Sequence, residues 1–296
     1  MSGPDEATPP DARAPVAVLD HVAVAVERWA DAWPRYVEEL GGAWASGGVN
    51  VGFGPAQLRF GNGARLEVLQ PWDWEANPFL RRFLDQHGPG PHHLTFKVPD
   101  IRQALARVSA AGFDPVGVDL RDPTWQEAFL HPRQAGGVVV QLAQSATEWA
   151  SPPPKGFPRP ATAPADLEHV THVVADLGPA LALFHDLLGG TVVADGDHAG
   201  DAWRSVDLAW TGPLRLRLVG PSDDGPSPAV ERFLDGRPGH VHHLAMTVSD
   251  PAVVGDALRP GPVLGVAGPC PVVEPARNLG VRLVLRTPHQ DPAGVG

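Results

Sequence analysis

The sequence has little of three things: cysteine, positive charge and long apolar runs. Cys270 is the single cysteine among 296 residues. A disulfide within the chain is therefore excluded, and so is a zinc site built from several thiolates. A chain without a disulfide framework fits the reducing cytoplasm, which is its predicted location.

Positive charge is scarce relative to negative charge. The 23 Lys and Arg residues are outnumbered by 34 Asp and Glu residues, which gives a formal net charge of -11. Nucleic acid is therefore not an expected partner, because binding to the phosphate backbone requires a basic surface.

Apolar runs are short throughout the chain. No run is long enough to cross a bilayer, so no membrane partner is expected. Residues 1–16 are polar and rich in proline, and they lack the apolar core of a signal peptide. We predict that they form a disordered tail.

The sequence does contain an internal repeat. LDHVAVAV, which begins at Leu19, has the counterpart LEHVTHVV, and GPHHLTFKV has the counterpart HVHHLAMTV. His21 and His169 lie 148 positions apart, and His93 and His243 lie 150 apart. A nearly constant offset of this size indicates two copies of one domain. We expect modules at 17–148 and 167–290, joined by a proline-rich linker at 149–166.

Each copy repeats a smaller unit, which consists of a strand, a helix and then two or three strands. Asp100 and Asp176 are predicted helix N-caps, and Gly112 is a predicted helix stop. Pro34 predicts that the first helix either begins near Trp33 or kinks there. Four such units favour an α+β fold, in which helices cover one face of mostly antiparallel sheets.

Alternation along the strands assigns residues to two faces. In HHLTFKV, it groups His92 with Leu94 and Phe96 on an apolar face, which should pack under the helix. His93 and Thr95 then lie on the opposite, polar face.

The same alternation places one polar residue from each of four strands on the face away from the helices: His21, Glu67, His93 and Gln141. Two imidazoles, a carboxylate and an amide oxygen suit one divalent cation, such as Zn, Ni, Co, Mn or Fe. The alternative is that these side chains are the polar lining of an empty cup.

The chain resembles the vicinal oxygen chelate superfamily, nearest to glyoxalase I and methylmalonyl-CoA epimerase. The resemblance rests on LDHVAVAV, RLEVLQP, GPHHLTFKVPDI and FLHPRQAGGVVVQL, and it is weaker in the second half. It implies that pairs of βαβββ units form an open cup around a divalent metal, with helices outside. The ligand positions carried over are His21, Glu67, His93 and Gln141.

Gln141 departs from the family pattern, in which the last ligand is usually Glu. An amide can ligate through its oxygen, but it is not a base near neutral pH. Glu67 is therefore the first candidate for a catalytic base, and Glu127 is the second. The alternatives are that Gln141 is not a ligand and that Glu127 is a surface or strand-end carboxylate.

The second half carries His169, Arg217, His243 and Val284 at the matching positions. Arginine repels a metal and valine offers no ligand, so we expect no metal there. Arg217 is instead predicted to bind substrate, within a basic patch that holds an anionic group. Two alternatives stay open: the second cup closes over the first, or the arginines are solvated.

Three functions are compatible with the resemblance. The first is a metal-dependent lyase or isomerase, which acts on a small carbonyl or thioester substrate through a metal-stabilised enediolate. The second is a ring-cleaving dioxygenase with non-haem iron on His21, His93 and Glu67. The third is a non-catalytic, resistance-type protein that binds a small molecule in a pocket lined by tryptophans. The modules pair either within one chain or between the chains of a homodimer.

Overall fold

The first half of the chain forms an eight-stranded mixed sheet, with strand order β2-β3-β4-β1-β5-β8-β7-β6. The computed structural model describes residues 17–145, 149–198, 200–223 and 225–288, so the predicted tail at 1–16 lies outside the described residues. The strands of this sheet are β1 Val18–Ala25, β2 Ala43–Gly47, β3 Phe53–Arg59, β4 Arg65–Pro71, β5 Gly90–Lys97, β6 Val116–Asp119, β7 Gln126–Leu130 and β8 Val139–Gln144.

The second half repeats this sheet, with strand order β10-β11-β12-β9-β13-β16-β15-β14. Its strands are β9 Asp166–Val174, β10 Thr191–His198, β11 Trp203–Ala209, β12 Arg215–Pro221, β13 Gly239–Thr247, β14 Leu258–Pro262, β15 Pro269–Val273 and β16 Leu283–Arg286. In each sheet two neighbouring pairs are parallel and the others antiparallel, as expected from four consecutive βαβββ units.

Short helices connect the strands. They are α1 Trp29–Trp33, which continues as a π-helical segment Pro34–Glu39, α2 Phe79–His87, α3 Ile101–Ala110, α4 Leu177–Leu181, which continues as Ala182–Leu187, and α5 Pro228–Leu234, together with 3-10 segments Pro251–Ala257 and Pro275–Arg277. Among the described residues, no helix has the length and hydrophobicity that crossing a membrane requires.

The predicted helix signals act as expected at three positions. Asp100 accepts a hydrogen bond from the Gln103 backbone N–H at 3.0 Å, and Asp176 accepts one from the Gly178 backbone N–H at 2.8 Å. Gly112, with φ +89°, follows the end of α3.

Pro34 does not start the first helix, which begins at Trp29. At Pro34 the helix widens into the π-helical segment. Ala182 begins the same kind of segment in the second half, so the widening does not depend on proline.

The two sheets pack back to back through their helical layers. Phe96, on the helix-facing side of the first sheet, contacts the rings of Phe184 and Trp210 in the second half, with centroids 5.9 and 5.2 Å apart. The hydroxyl of Tyr36 accepts a hydrogen bond from Asn278 Nδ2 at 3.0 Å. Both halves therefore contribute to one hydrophobic core.

We call the opposite face of the first sheet, which carries His21, Glu67, His93 and Gln141, the first cup. The corresponding face of the second sheet, with His169, Arg217, His243 and Val284, is the second cup. Because the helical sides face each other, the two cups face away from each other. The alternative in which the second cup closes over the first is therefore wrong.

The expectation that all helices lie outside the cups is wrong for two of them. Helix α2 packs its Leu80 and Leu84 against Ala23, Ala25 and Leu69, which lie on the first cup. Helix α5 takes the same place on the second cup, where Val230 and Leu234 contact Val173. One end of each cup is thus filled with apolar side chains, and the polar residues lie beyond it.

The proline-rich segment between the halves packs on the first module. The Phe157 ring lies 5.2 Å from that of Trp33 and 5.4 Å from that of Trp44. Ser151 Oγ both accepts from the Gly47 N–H and donates to the Gly47 carbonyl, each at 2.8 Å. The segment is therefore held against the β2 edge and ends where β9 begins at Asp166.

Candidate metal centre

Two β-bulges determine where the histidines of the first cup point. One interrupts the pairing of β1 with β5 at Asp20, and the other interrupts it at His92. A bulge inserts one unpaired residue and redirects its side chain. Asp20 consequently lies beside His21, and His92 lies beside His93.

The bulge overturns the predicted position of His92 under the helix with Leu94 and Phe96. Its ring lies 5.9 Å from that of Phe79 and 4.7 Å from that of Phe83, both on α2. That helix packs on the cup side, so His92 and His93 are on the same face. Simple alternation fails here because it assumes an unbroken pleat.

The bulged residues hold the Nδ1 atoms of the two cup histidines. His21 Nδ1 donates to Asp20 Oδ2 at 2.7 Å, and His93 Nδ1 lies 2.8 Å from His92 Nδ1. The Nε2 atoms of His21 and His93 are buried and have no hydrogen-bond partner. Both imidazoles thus present an unpartnered nitrogen to the same space.

Glu67 lies between these two nitrogens. Its Oε2 is 3.6 Å from each Nε2, and one ligand atom from each of the three residues lies within 4.8 Å of the others. Two ligands of a tetrahedral zinc ion are separated by roughly 3.4 Å, given metal–ligand bonds of about 2.1 Å. The three residues therefore fit a divalent cation in both spacing and chemistry.

The electrostatics of the cup also favour a cation. Burial opposes protonation of His21, yet the charges and hydrogen bonds of Glu67 and Asp20 raise its pKa to about 9. Burial also disfavours ionised Asp20, but its hydrogen bond and charge interaction with His21, aided by Lys97, lower its pKa to about 2. A buried site that stabilises an imidazolium also attracts a metal ion.

Gln141 and Glu127 form the next layer of the cup. Gln141 Oε1 accepts from Thr95 Oγ1 at 2.6 Å, and Gln141 Nε2 donates to Glu127 Oε2 at 2.7 Å. Trp125 Nε1 also donates to Glu127 Oε2, at 2.8 Å. Burial raises the pKa of Glu127 despite these two hydrogen bonds. Glu127 therefore faces into the cup, and its partner there is Gln141.

The second cup brings its four matching residues together with different chemistry. Arg217 makes a bidentate ion pair with Asp207, at 2.6 and 2.7 Å, and also donates to the Gly265 carbonyl at 2.9 Å. His243 Nε2 lies 3.0 Å from Thr171 Oγ1. The guanidinium predicted to bind substrate is thus already engaged by groups of its own module.

Sequence reasoning missed the partners of the cup histidines. Asp20, His92 and Thr95 carry the hydrogen bonds that orient His21, His93 and Gln141. A signal was present, because an acidic residue directly precedes the first histidine in both LDH and LEH. The bulges that make this neighbour useful were not foreseeable from alternation.

Both halves match models of one family. Residues 20–129 match one model of the Glyoxalase/Bleomycin resistance protein/Dioxygenase superfamily, and residues 166–263 match another. The chain belongs to this superfamily. Each match lies within one of the two sheets; β8 lies beyond the first match, and β15 and β16 lie beyond the second. No curated protein has a significantly similar sequence.

Some solved structures resemble most of the chain, and others resemble about half of it. A mutant of 4-hydroxymandelate synthase from Streptomyces coelicolor is 19% identical, covers 84% of this chain and 78% of its own, and has a TM-score of 0.59. Methylmalonyl-CoA epimerase from Mycobacterium tuberculosis is 30% identical over 46% of this chain and 93% of its own, with a TM-score of 0.41. A hypothetical protein from Bacillus halodurans C-125 is 27% identical over 46% of this chain and 99% of its own, with a TM-score of 0.40.

Proposed function

We propose that the first cup is a divalent-metal centre and that the chain is a lyase or isomerase of a small carbonyl or thioester substrate. The observation that supports this most is the convergence of two unpartnered, buried Nε2 atoms, from His21 and His93, on the Glu67 carboxylate. A buried nitrogen without a partner destabilises a fold, so two of them facing one carboxylate support the presence of a ligand.

A divalent cation bound by His21, Glu67 and His93 would supply Lewis-acid stabilisation of negative charge on substrate oxygens. The sequence favours Glu67 as the base, but its position between two imidazoles suits a metal ligand. Glu127 is not one of these three residues, and its carboxylate accepts a hydrogen bond from Gln141 in the same cup. We therefore assign the proton transfer to Glu127.

Glu127 has the properties that a proton carrier needs. Burial raises its pKa, which brings the carboxyl closer to the pH at which it both accepts and donates a proton. Gln141 and Trp125 both donate to Oε2. These two hydrogen bonds fix the orientation of the carboxyl. Oε1, which accepts neither of them, is the atom that exchanges a proton with the substrate.

A second function is favoured by one specific contact. Gln141 is directed towards Thr95 and Glu127, which leaves two histidines and one carboxylate as the protein ligands. This set is typical of non-haem iron oxygenases, in which open positions remain on the metal. The alternative proposal is therefore a ring-cleaving dioxygenase.

Metal analysis of protein purified without chelator tests the centre. We expect about one metal ion per chain. The His93→Ala, Glu67→Ala double variant should contain none, while the matched His243→Ala variant should keep it. A parent without metal, even after incubation with Zn, Ni, Co, Mn and Fe(II), would contradict the proposal. Iron with substrate-dependent oxygen uptake would select the dioxygenase.

Deuterium exchange measures the proposed proton transfer independently of metal binding. In D₂O, the metal-loaded protein should introduce deuterium next to the carbonyl of α-hydroxy carbonyl or thioester probes, as followed by NMR. Glu127→Gln should slow this exchange by a factor of roughly 10² to 10⁴ and retain the metal. The exposed Glu75→Gln serves as the control. Unchanged exchange in Glu127→Gln would remove Glu127 from the mechanism.

A further inference from the structure

The second cup reverses the charge at the centre of the first. Arg217 occupies the place of Glu67, and its partner Asp207 occupies the place of Gln57. Around this neutral pair, β12 and β16 add two more arginines, Arg215 and Arg286, where the first sheet has Arg65 and Ala143. The arrangement that suits a cation in one half is thus replaced by one that suits an anion.

Arg215 and Arg286 lie on the cup face and have no ion-pair partner within the part of the chain that the structure describes. Arg215 is in register with His169, and Arg286 with Thr247. Their even spacing from Arg217 and Val284 puts them on the same face as those residues. The carboxylates near these arginines already have partners: Asp207 is bonded to Arg217, Glu168 to Thr247, and Glu274 to Arg282.

His169 adds a buried polar atom without a partner. The residue is 5% exposed, and its Nε2 makes no hydrogen bond. Burial and the charges of Arg217, Arg286 and Arg215 hold the pKa of His169 well below its usual range. It is therefore a neutral imidazole beside cations, able to donate one N–H to an anion but unsuited to share a metal with them.

An apolar surface adjoins these groups. Four valines form a cluster on the same face, with half-buried Cys270 packed against it: Val263, Val266, Val272 and Val284. Cations next to an apolar wall match a ligand that is charged at one end and apolar at the other.

We propose that the second cup binds the carboxylate group of a small organic acid. Arg215 and Arg286 hold the carboxylate oxygens, His169 Nε2 donates from the buried side, and the valine cluster contacts the apolar remainder. Arg217 is held by Asp207 and the Gly265 carbonyl, so it makes no direct contact with the carboxylate. This proposal is independent of the function proposed for the first cup.

Calorimetric titration at low salt tests the site with benzoate as the probe. We expect one benzoate per chain, with weaker binding as salt is added, because the attraction is between charges. Benzamide, which has the same shape and no charge, should not bind. Arg286→Gln should weaken benzoate binding by roughly tenfold or more, through loss of a charge-assisted hydrogen bond. The exposed Arg102→Gln, with the same change in net charge, should leave binding unchanged.

Three further results would each overturn the proposal. Equal affinity for benzoate and benzamide would exclude recognition of charge, and binding of inorganic phosphate without benzoate would exclude the carboxylate class. Binding that survives Arg286→Gln but disappears in His93→Ala would place the anion in the first cup. Thermal unfolding of each variant verifies that it is folded, and Arg215→Gln provides a second variant of the site.

Discussion

Asp20 gives the sharpest prediction about the metal centre, because it contacts one ligand without being one. Its Oδ2 accepts from His21 Nδ1 at 2.7 Å, and its pKa of about 2 keeps it ionised. The carboxylate holds one proton of His21 on Nδ1, so Nε2 is the nitrogen that gives up its proton and binds the metal. Asp20→Asn replaces a charge-assisted hydrogen bond with a neutral one of similar geometry.

Removal of such a partner typically weakens metal binding by a factor of roughly 10 to 100. This corresponds to about 1.4 to 2.7 kcal/mol of binding free energy. Competition between the protein and a chromophoric zinc chelator at neutral pH measures the change directly. The matched control is Glu168→Gln, since Glu168 precedes His169 as Asp20 precedes His21 but bonds to Thr247.

Zinc binding by Asp20→Asn that is as tight as that of the parent chain would contradict this role of Asp20. An equal loss of affinity in Glu168→Gln would also contradict it, because the effect would then be one of net charge. A lower melting temperature with unchanged affinity would show that Asp20 stabilises the bulge and does not orient the ligand.

Two further predictions concern the contact between the halves. His172 has its pKa lowered to about 4, chiefly by burial, while its Nε2 donates to the Gly136 carbonyl at 2.8 Å. The unfolded chain binds the proton first, so the contribution of His172 to the free energy of unfolding is fully present above about pH 6.5 and falls by about 3 kcal/mol towards pH 4. Urea unfolding at the two pH values should show a smaller loss for His172→Gln than for the parent; equal losses would refute the assignment. At Gly137, a Cβ would lie 2.0 Å from the Gly239 carbonyl oxygen, so Gly137→Ala should lose more than about 3 kcal/mol of stability. The control is Gly112→Ala, because Gly112 has a similar positive φ and no atom within 4 Å of the added Cβ. It should lose only about 1 to 2 kcal/mol of stability. Similar melting temperatures for the two variants would show that the halves separate easily.

The order of helices and strands was accessible from the sequence because it depends on local rules. Asp100 and Gly112 act through their own helix, and valines at alternate positions reveal which face of a strand is buried. The repeat then extends each observation from one module to the other. For the same reason, the four polar residues of the first cup could be grouped before their distances were known.

The bulges and the pairing of the halves were not accessible in this way. A bulge is a one-residue change of register between strands that are far apart in sequence, so HHLTFKV alone does not reveal it. Gln141 could be placed on the correct face, but its bonds to Thr95 and Glu127 depend on two other strands. The back-to-back arrangement depends on Phe96 contacting Phe184, a contact between residues of different modules.

The shared core has a consequence for how the chain can be divided. Tyr36 and Phe96 are fully buried, and each contacts residues of the other half. A fragment that ends at the proline-rich segment would expose this apolar layer to water, at a cost of about 25 cal/mol for each Å² uncovered. The repeated unit of sequence is therefore not an independent unit of stability, and unfolding should proceed as one transition of the whole pair. An isolated half would need a second copy to cover the same surface.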